Sequence, residues 1–437
     1  MPDTFILGID GLPCWQWRQF ADNGVMPFSA QLLDSGRLRP MQSSIPEVSS
    51  AAWASIVTGR NPGGHNVFGF TDLIDGSYSL GFTSSRTFRA SPFWTRDDGQ
   101  RRLVLNVPQT WPAQPLNGVL ASGFVTLDLD RAVFPRDRLN LFQDSGYRVD
   151  ADMSLIERSK QDFLDDLHAV LDVRCRTLHR LWDDEHWDEI MFVITGTDRL
   201  NHYFWADFED PASPFYMKYL DFHHRVDQEI ERICRRLDDD TTLVTVSDHG
   251  FGRQRLSVNV NRLLHDHGYL FLKTSDRPSW ADILPETKVF AMDPGRLYIH
   301  RADRWPAGTV DEDERHVLEQ ELTELFLNLD VDGTRLVDAV VRGSEAYDGP
   351  FSHRAPDLVL MAAEDVALSG RIDISELLET TPINGKHTFE NATFFCRAAE
   401  PPVIPETMRV EDVLQVVEHA QVSATRAGGP IHPLPVA

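Results

Sequence analysis

Short uninterrupted apolar runs alternate with longer amphipathic stretches along this chain. Thr4–Ile9 (TFILGI), Arg102–Val107 (RLVLNV), Val119–Phe124 (VLASGF), Glu189–Thr195 (EIMFVIT), Thr241–Ser247 (TTLVTVS) and Asp357–Met361 (DLVLM) read as short strands. Between them, residues 161–182 set Phe163, Leu167, Val170, Leu171, Leu178 and Leu181 near one helical stripe. Residues 219–237 do the same with Phe222, Val226, Ile230, Ile233 and Leu237. Residues 20–38 read as partly helical, broken at Gly24 and Pro27, and 71–89 as polar with little periodicity. Residues 257–272 read as a helix and short strand, 311–329 as a helix and 411–420 as a closing helix. This strand–helix alternation predicts an α/β fold: a doubly wound, mostly parallel sheet with helices on both faces. Residues 1–437 read as a single domain. Within it, 280–347 reads as an inserted α+β segment, and the Gly/Pro-rich stretch 427–437 as a loose tail.

Composition narrows the function classes. A chain of 437 residues that is 42% hydrophobic can bury a sizeable core, which excludes general disorder. The formal net charge of -25 repels nucleic acid polymers and anionic membranes, so neither is an expected partner. An acidic protein still binds phosphates where cations sit in its site. The four cysteines, Cys14, Cys175, Cys234 and Cys396, show no CxxC spacing, which fits reduced thiols in a cytosolic protein. FILGI is too short for a signal peptide or a membrane span, so a cytoplasmic, soluble protein is expected. The oligomeric state is not legible from the sequence.

The candidate chemistry centres on Pro46–Phe70, PEVSSAAWASIVTGRNPGGHNVFGF. Ser49 and Ser50 stand at an N-cap position, and Gly59 with Asn61-Pro62-Gly63-Gly64 ends the helix. A serine there either caps the helix or sits where free N–H groups favour an alkoxide or a phosphate. Other metal-capable residues fall at strand ends, where open α/β sheets bind ligands. Asp10 follows the first strand, and Asp248-His249-Gly250 follows TTLVTVS. Asp198 and His202 lie four apart, on one face if their segment is helical. Asn106 ends its strand, and His387 lies in a loop. Each alone has a plain structural reading, as a turn residue or a surface pair. Cys175, His179, His223 and His224 read as packing or surface residues. Taken together, the strand-end ligands and the serine suit two-metal phosphoryl transfer.

The chain resembles the alkaline phosphatase superfamily and, within it, the type I phosphodiesterase/nucleotide pyrophosphatase family. The resemblance rests on GIDG at 8–11, PEVSSAAWASIVTGRNPGGH at 46–65, NVPQTWP at 106–112 and SGF at 122–124. It continues through TDRLNHYFW at 197–205, VSDHGFG at 246–252, NVNRLLHDHGYL at 259–270 and YDGPFSHRAPDLVLM at 347–361. The resemblance implies an alkaline-phosphatase-like fold and two divalent metal ions, Zn2+ with Mn2+ as the alternative. One would be held by Asp10, Asp248, His249 and the Ser49 oxygen, the other by Asp198, His202 and His387. It implies Ser49 as nucleophile, with Ser50 its rival, and Asn106 as a substrate-binding residue. Many relatives carry threonine where Ser49 stands. His387 is followed by TFENATFF, without the family's nearby glycine, and His65-Asn66 replaces a common HG, so His65 reads as structural. The implied reaction is in-line attack by Ser49 on a small phosphorylated metabolite, through a covalent phosphoserine-type intermediate.

Phosphodiester or pyrophosphate cleavage is the expected activity, with phosphomonoester hydrolysis as the alternative. A monoester dianion calls for an added cation. Of the nearest candidates, Arg60 lies beyond the far end of the serine's helix, and Arg199 is expected on a different helix face from Asp198 and His202. A sulfatase would need a C/S-x-P-x-R setting, which SSAAW lacks. A non-catalytic metal-binding protein would be expected to have lost ligands, and none is missing.

Overall fold

The computed structural model describes residues 1–331 and 333–427. The predicted tail, beyond Ala427 itself, lies outside the described residues. Eight strands form the central sheet: β1 (Thr4–Ile9), β2 (Arg37–Met41), β3 (Arg102–Val107), β4 (Gly118–Ser122), β5 (Val133–Phe134), β6 (Glu189–Ile194), β7 (Thr242–Val246) and β8 (Ala392–Arg397). Their order is β2-β8-β7-β1-β6-β3-β4-β5. The five from β7 to β4 run parallel, and β8, β2 and β5 add antiparallel edges.

The apolar runs of the parallel strands follow from burial on both faces. Phe5, Leu7 and Ile9 of β1 enter one core with Ile190, Phe192 and Ile194 of β6. Ile6, Met191 and Val193 enter the other. The first core is covered by the helices α2 (Lys160–Asp184) and α4 (Tyr216–Cys234), whose buried stripes match the predicted ones except for Leu237, which follows α4 and is half-buried. The second is covered by α1 (Ser49–Thr58) and α5 (Val413–Ala427), through Trp53, Ile56, Val57, Val413, Val416 and Val417. The result is an α/β layered fold. No helix among the described residues is long and apolar enough to cross a membrane.

Several local expectations change. The polar stretch 71–89 contains a small hairpin, Thr71–Leu73 with Leu80–Phe82. Residues 250–259 form a ten-residue strand that the sequence reading missed, followed by the helix Val260–Asp266. His387 is not in a loop. It lies on the strand Gly385–Thr388, antiparallel to Gly250–Arg253, with His387 opposite Phe251. A four-stranded antiparallel sheet built from Val289–Met292, Arg296–Ile299, Leu358–Ala362 and Val337–Arg342 has its own hydrophobic core.

His65 ties α1 to the turn that follows it. Its Nδ1 accepts from the Val67 N–H at 3.2 Å, so the proton lies on Nε2, which donates to Ser55 Oγ at 3.0 Å. Burial pushes the imidazole down from 6.5 to about 3. On acidification the unfolded chain therefore takes up this proton first. Stability falls as pH drops from 6.5 toward about 3, by up to ~1.4 kcal/mol per unit. His65→Asn should lower the unfolding free energy at pH 7. Urea titrations at pH 7, 5.5 and 4.5 should find the gap between parent and variant shrinking as pH falls.

Candidate active site

Parallel register brings the key residues to one edge. Ile9 of β1 aligns with Ile194 of β6, and Gly8 with Val246 of β7. The residues just beyond these ends are Asp10, the helix α3 (Gly196–Glu209) carrying Asp198 and His202, and Asp248-His249. Gly11 turns the chain away with φ +63, a conformation that suits glycine, and its N–H donates to Asp248 Oδ1 at 3.2 Å. Gly8 leaves room for Trp53, because a Cβ there would lie 2.5 Å from the indole. Trp53 Nε1 then donates to Asp10 Oδ2 at 2.9 Å. Thr197 Oγ1 donates to the Asp10 carbonyl at 2.6 Å, and Ser43 Oγ to the Asp248 carbonyl at 2.7 Å.

The serines do not cap α1. Val48 is the extended N-cap residue, and Ser49 and Ser50 form the first helical turn. The two then diverge. Ser49 Oγ lies 3.1 Å from His249 Nε2 and lines the cavity. Ser50 Oγ is fully buried without a partner and does not line it.

The three histidines are oriented alike. Each lays Nδ1 against a backbone carbonyl: His249 on Gly250 O at 3.0 Å, His202 on Gly385 O at 2.9 Å and His387 on Glu47 O at 3.0 Å. Nδ1 must therefore donate, and each Nε2 is turned inward. His387 Nε2 lies 3.1 Å from Asp198 Oδ1 and 3.0 Å from His202 Nε2. His202 Nε2 lies 3.4 Å from the same Asp198 oxygen. On the other side, His249 Nε2 lies 3.2 Å from Asp248 Oδ2 and 3.6 Å from Asp10 Oδ1. The His249 and His387 rings stack at 3.5 Å between centroids, joining the two sets.

These residues fit cations. Asp10 Oδ1 and Asp248 Oδ2 are buried with no hydrogen-bond partner. The Nε2 atoms of His202 and His387 face each other at 3.0 Å, beside the Asp198 carboxylate. Both are costly unless positive charge lies between them. Ligand-type atoms of Asp10, Asp248 and His249 lie within 4.8 Å of one another, as do those of Asp198, His249 and His387. Among protein groups alone, burial, then the Asp248 and Asp198 carboxylates, push Asp10 well up. Burial likewise drives Asp248 up to about 6 and lowers His249, which keeps that imidazole neutral.

The cavity in front of Ser49 measures about 100 Å³. Asp10, Asp198, His202 and His387 line it, together with Thr195, Phe70, Phe124 and Arg199. Arg199 is the main departure from expectation. Its backbone does lie on a different helix face, but its side chain folds back over the Phe124 ring at 4.3 Å. There it reaches within 3.4 Å of Asp198 Oδ2. Helix spacing fixes where a Cβ points, not where a long side chain ends. Phe70 and Phe124 meet edge to face at 5.4 Å; both fall in stretches the sequence marked, Pro46–Phe70 and SGF at 122–124, but neither was read as a cavity wall. Asn106 takes a different place. It is fully buried at φ +62, donates Nδ2 to Val193 O at 2.8 Å and does not line the cavity. A larger cleft of about 340 Å³ near Phe88 and Trp94 has no carboxylate or histidine on its walls.

Residues 4–390 match the family described as type I phosphodiesterase / nucleotide pyrophosphatase. The chain belongs to that family. It is accordingly a hydrolase of phosphate ester bonds. No curated protein sequence matches it significantly. Among solved structures, it is similar to phosphonoacetate hydrolase from Sinorhizobium meliloti 1021 in complex with phosphonoacetate. The TM-score there is 0.68 at 17% identity, covering 96% of each chain. The same hydrolase with phosphonoformate gives 0.66 at 16%, again covering 96% of each chain. Murine ectonucleotide pyrophosphatase/phosphodiesterase 5 gives 0.55 at 11%, covering 96% of this chain and 95% of that one. These likenesses fix the fold as alkaline-phosphatase-like.

The Trp53–Asp10 bond offers a direct test of how the site is held. Trp53→Phe keeps the ring packing and strips one buried carboxylate oxygen of its donor. The variant should lose about 1–3 kcal/mol of unfolding free energy in urea titrations. Its turnover should fall while its far-UV dichroism stays that of the parent.

Proposed function

We propose that the chain is a metal-dependent phosphohydrolase that attacks phosphorus with Ser49, using two divalent cations. The observation that carries this reading is Ser49 Oγ, 3.1 Å from His249 Nε2 and facing both ligand sets across one small cavity. Asp10, Asp248, His249 and the Ser49 oxygen would hold one cation, and Asp198, His202 and His387 the other. Zinc suits this mixture of imidazole and carboxylate donors, with Mn2+ as the alternative. When bound, the cations would supply Lewis acidity that eases loss of the serine proton and balances charge on the phosphoryl and leaving oxygens.

The chain's own groups do the rest. Asp10 and Asp248, anchored by Trp53 and Gly11, keep negative charge fixed behind Ser49. Ser49 stands in the first turn of α1, where the helix dipole favours incoming anionic oxygens. An Oγ–P bond forms as the P–O bond to the leaving group breaks, and the leaving oxygen takes the electron pair and, by way of water, the proton that Ser49 gives up. Water then attacks the phosphoserine, returning Ser49 and releasing phosphate or a phosphate ester. Family membership supports cleavage of a phosphate ester bond, in a phosphodiester or pyrophosphate or, alternatively, in a phosphomonoester. The substrate is a small phosphorylated molecule, and Asn106 steadies the site through β6 rather than by touching that molecule.

Two measurements test this reading. Ser49→Ala should lower kcat by about a thousandfold or more, whereas Ser50→Ala should stay within about tenfold of the parent. Acid quenching during turnover should trap phosphate on Ser49, and a phosphopeptide carrying it on Ser50 would overturn the assignment. Dialysis against a chelator should abolish activity and lower the melting temperature. Metal analysis of the replete protein should find about two zinc or manganese ions per chain, falling in Asp198→Ala and in Asp248→Ala.

A further inference from the structure

We propose that Arg199, aimed by Asp150, selects a phosphoryl group carrying two negative charges, so that phosphomonoesters are the preferred substrates. The proposal rests on the phosphohydrolase reading above and names the ester class it acts on. Arg199 lines the same cavity as Ser49. Its fork is held from behind: Nη2 donates to Asp150 Oδ2 at 2.7 Å and Nε to Asp150 Oδ1 at 3.3 Å. The third nitrogen, Nη1, has only a 3.4 Å contact with Asp198 Oδ2, at the outer limit of a hydrogen bond. Its protons are therefore available to an entering anion.

Asp150 is itself fixed. Its Oδ1 accepts from the Ala151 N–H at 2.9 Å. Buried Arg174 donates to the carbonyls of Arg148 and Val149, and to Thr195 Oγ1 at 2.8 Å. The guanidinium thus meets the cavity from a preset direction, as recognition of a phosphoryl oxygen requires.

Space points the same way. A cavity of about 100 Å³ is well below the ~300–1,000 Å³ of sites that enclose a whole small ligand. It has room for a phosphoryl group, while the leaving group projects through the mouth. A diester must also seat a second substituent on phosphorus, against a wall formed by Phe70, Phe124 and Arg199. A monoester puts an oxyanion there instead, and the guanidinium offsets its extra charge.

The test compares kcat/KM for an aryl phosphate and for the methyl diester of the same aryl phosphate, with metals saturating. The parent should favour the monoester by about tenfold or more. Arg199→Met should lower monoester turnover by about ten- to a hundredfold, as loss of a charge-assisted hydrogen bond implies, and diester turnover by less than about fivefold. Asp150→Asn should move the ratio in the same direction by a smaller factor, and Arg199→Lys should recover part of it. By calorimetry, inorganic phosphate should bind Arg199→Met about tenfold more weakly, with dimethyl phosphate unaffected. A parent that prefers the diester overturns the proposal, as do Arg199 variants that lower both esters equally. If Arg199→Met does not fold, the parent's ratio and Asp150→Asn still decide. If Ser49→Ala leaves both hydrolyses intact, the reading of this cavity as the phosphoryl-transfer site falls and takes this proposal with it. If it abolishes both while Arg199 variants leave the ratio unchanged, only the monoester assignment falls.

Discussion

Three carboxylates crowded into a space nearly closed to water set the terms for the rest of the site. Asp10, Asp198 and Asp248 are all buried, and two of their oxygens have no protein donor. Repulsion among such groups is strong where the dielectric is low. The surrounding structure resists it by anchoring two of the carboxylates, while a cation on the cavity wall offsets charge on the third. Trp53 holds Asp10, Gly11 holds Asp248, and Arg199 sits against Asp198. The imidazoles are pinned through Nδ1 to main-chain carbonyls, so they cannot turn to relieve the charge. A polypeptide that bears this cost without a compensating cation would be expected to rearrange. The anchoring makes the site a rigid, negatively charged socket.

The sheet explains why so much of this was legible. Strands buried on both faces read as continuous apolar runs, so β1, β3, β6 and β7 stand out in the sequence. Ligands that follow such runs are then delivered to one edge by parallel pairing. The more polar strands are harder to see. Arg37–Met41 is mostly exposed and contains Pro40, and Gly250–Asn259 is polar in its middle. Neither has the apolar signature of a core strand.

What was not legible depends on distant partners. His387 is placed by pairing with Phe251, a contact that no local pattern encodes. Arg199 was visible as a residue but not as a cavity wall, because its direction depends on Asp150 and Phe124. Ser49 and Ser50 are equivalent by composition, and the rotation of α1 about its axis separates them. The N-cap assignment failed for a related reason. Val48 occupies the extended position, which leaves the Ser49 hydroxyl pointing toward His249 instead of back along its own helix.

The strand that carries His387 lies late in the chain, and this has a consequence for how the protein is made. Asp10, Ser49, Asp198, His202, Asp248 and His249 are all synthesised before residue 250, whereas His387 and β8 come more than a hundred residues later. A ribosome that has released only the first part of the chain exposes one ligand set complete and the other lacking an imidazole. β7 also has an open flank until β8 pairs with it. Domains tend to take shape as the chain emerges, and here chemical competence arrives last. Asp10 and Asp248 emerge early, whereas the strand carrying His387 and the strand that pairs with β7 both come from the final quarter of the chain. Premature termination anywhere before Gly385 would therefore leave out both His387 and the strand that covers the flank of β7.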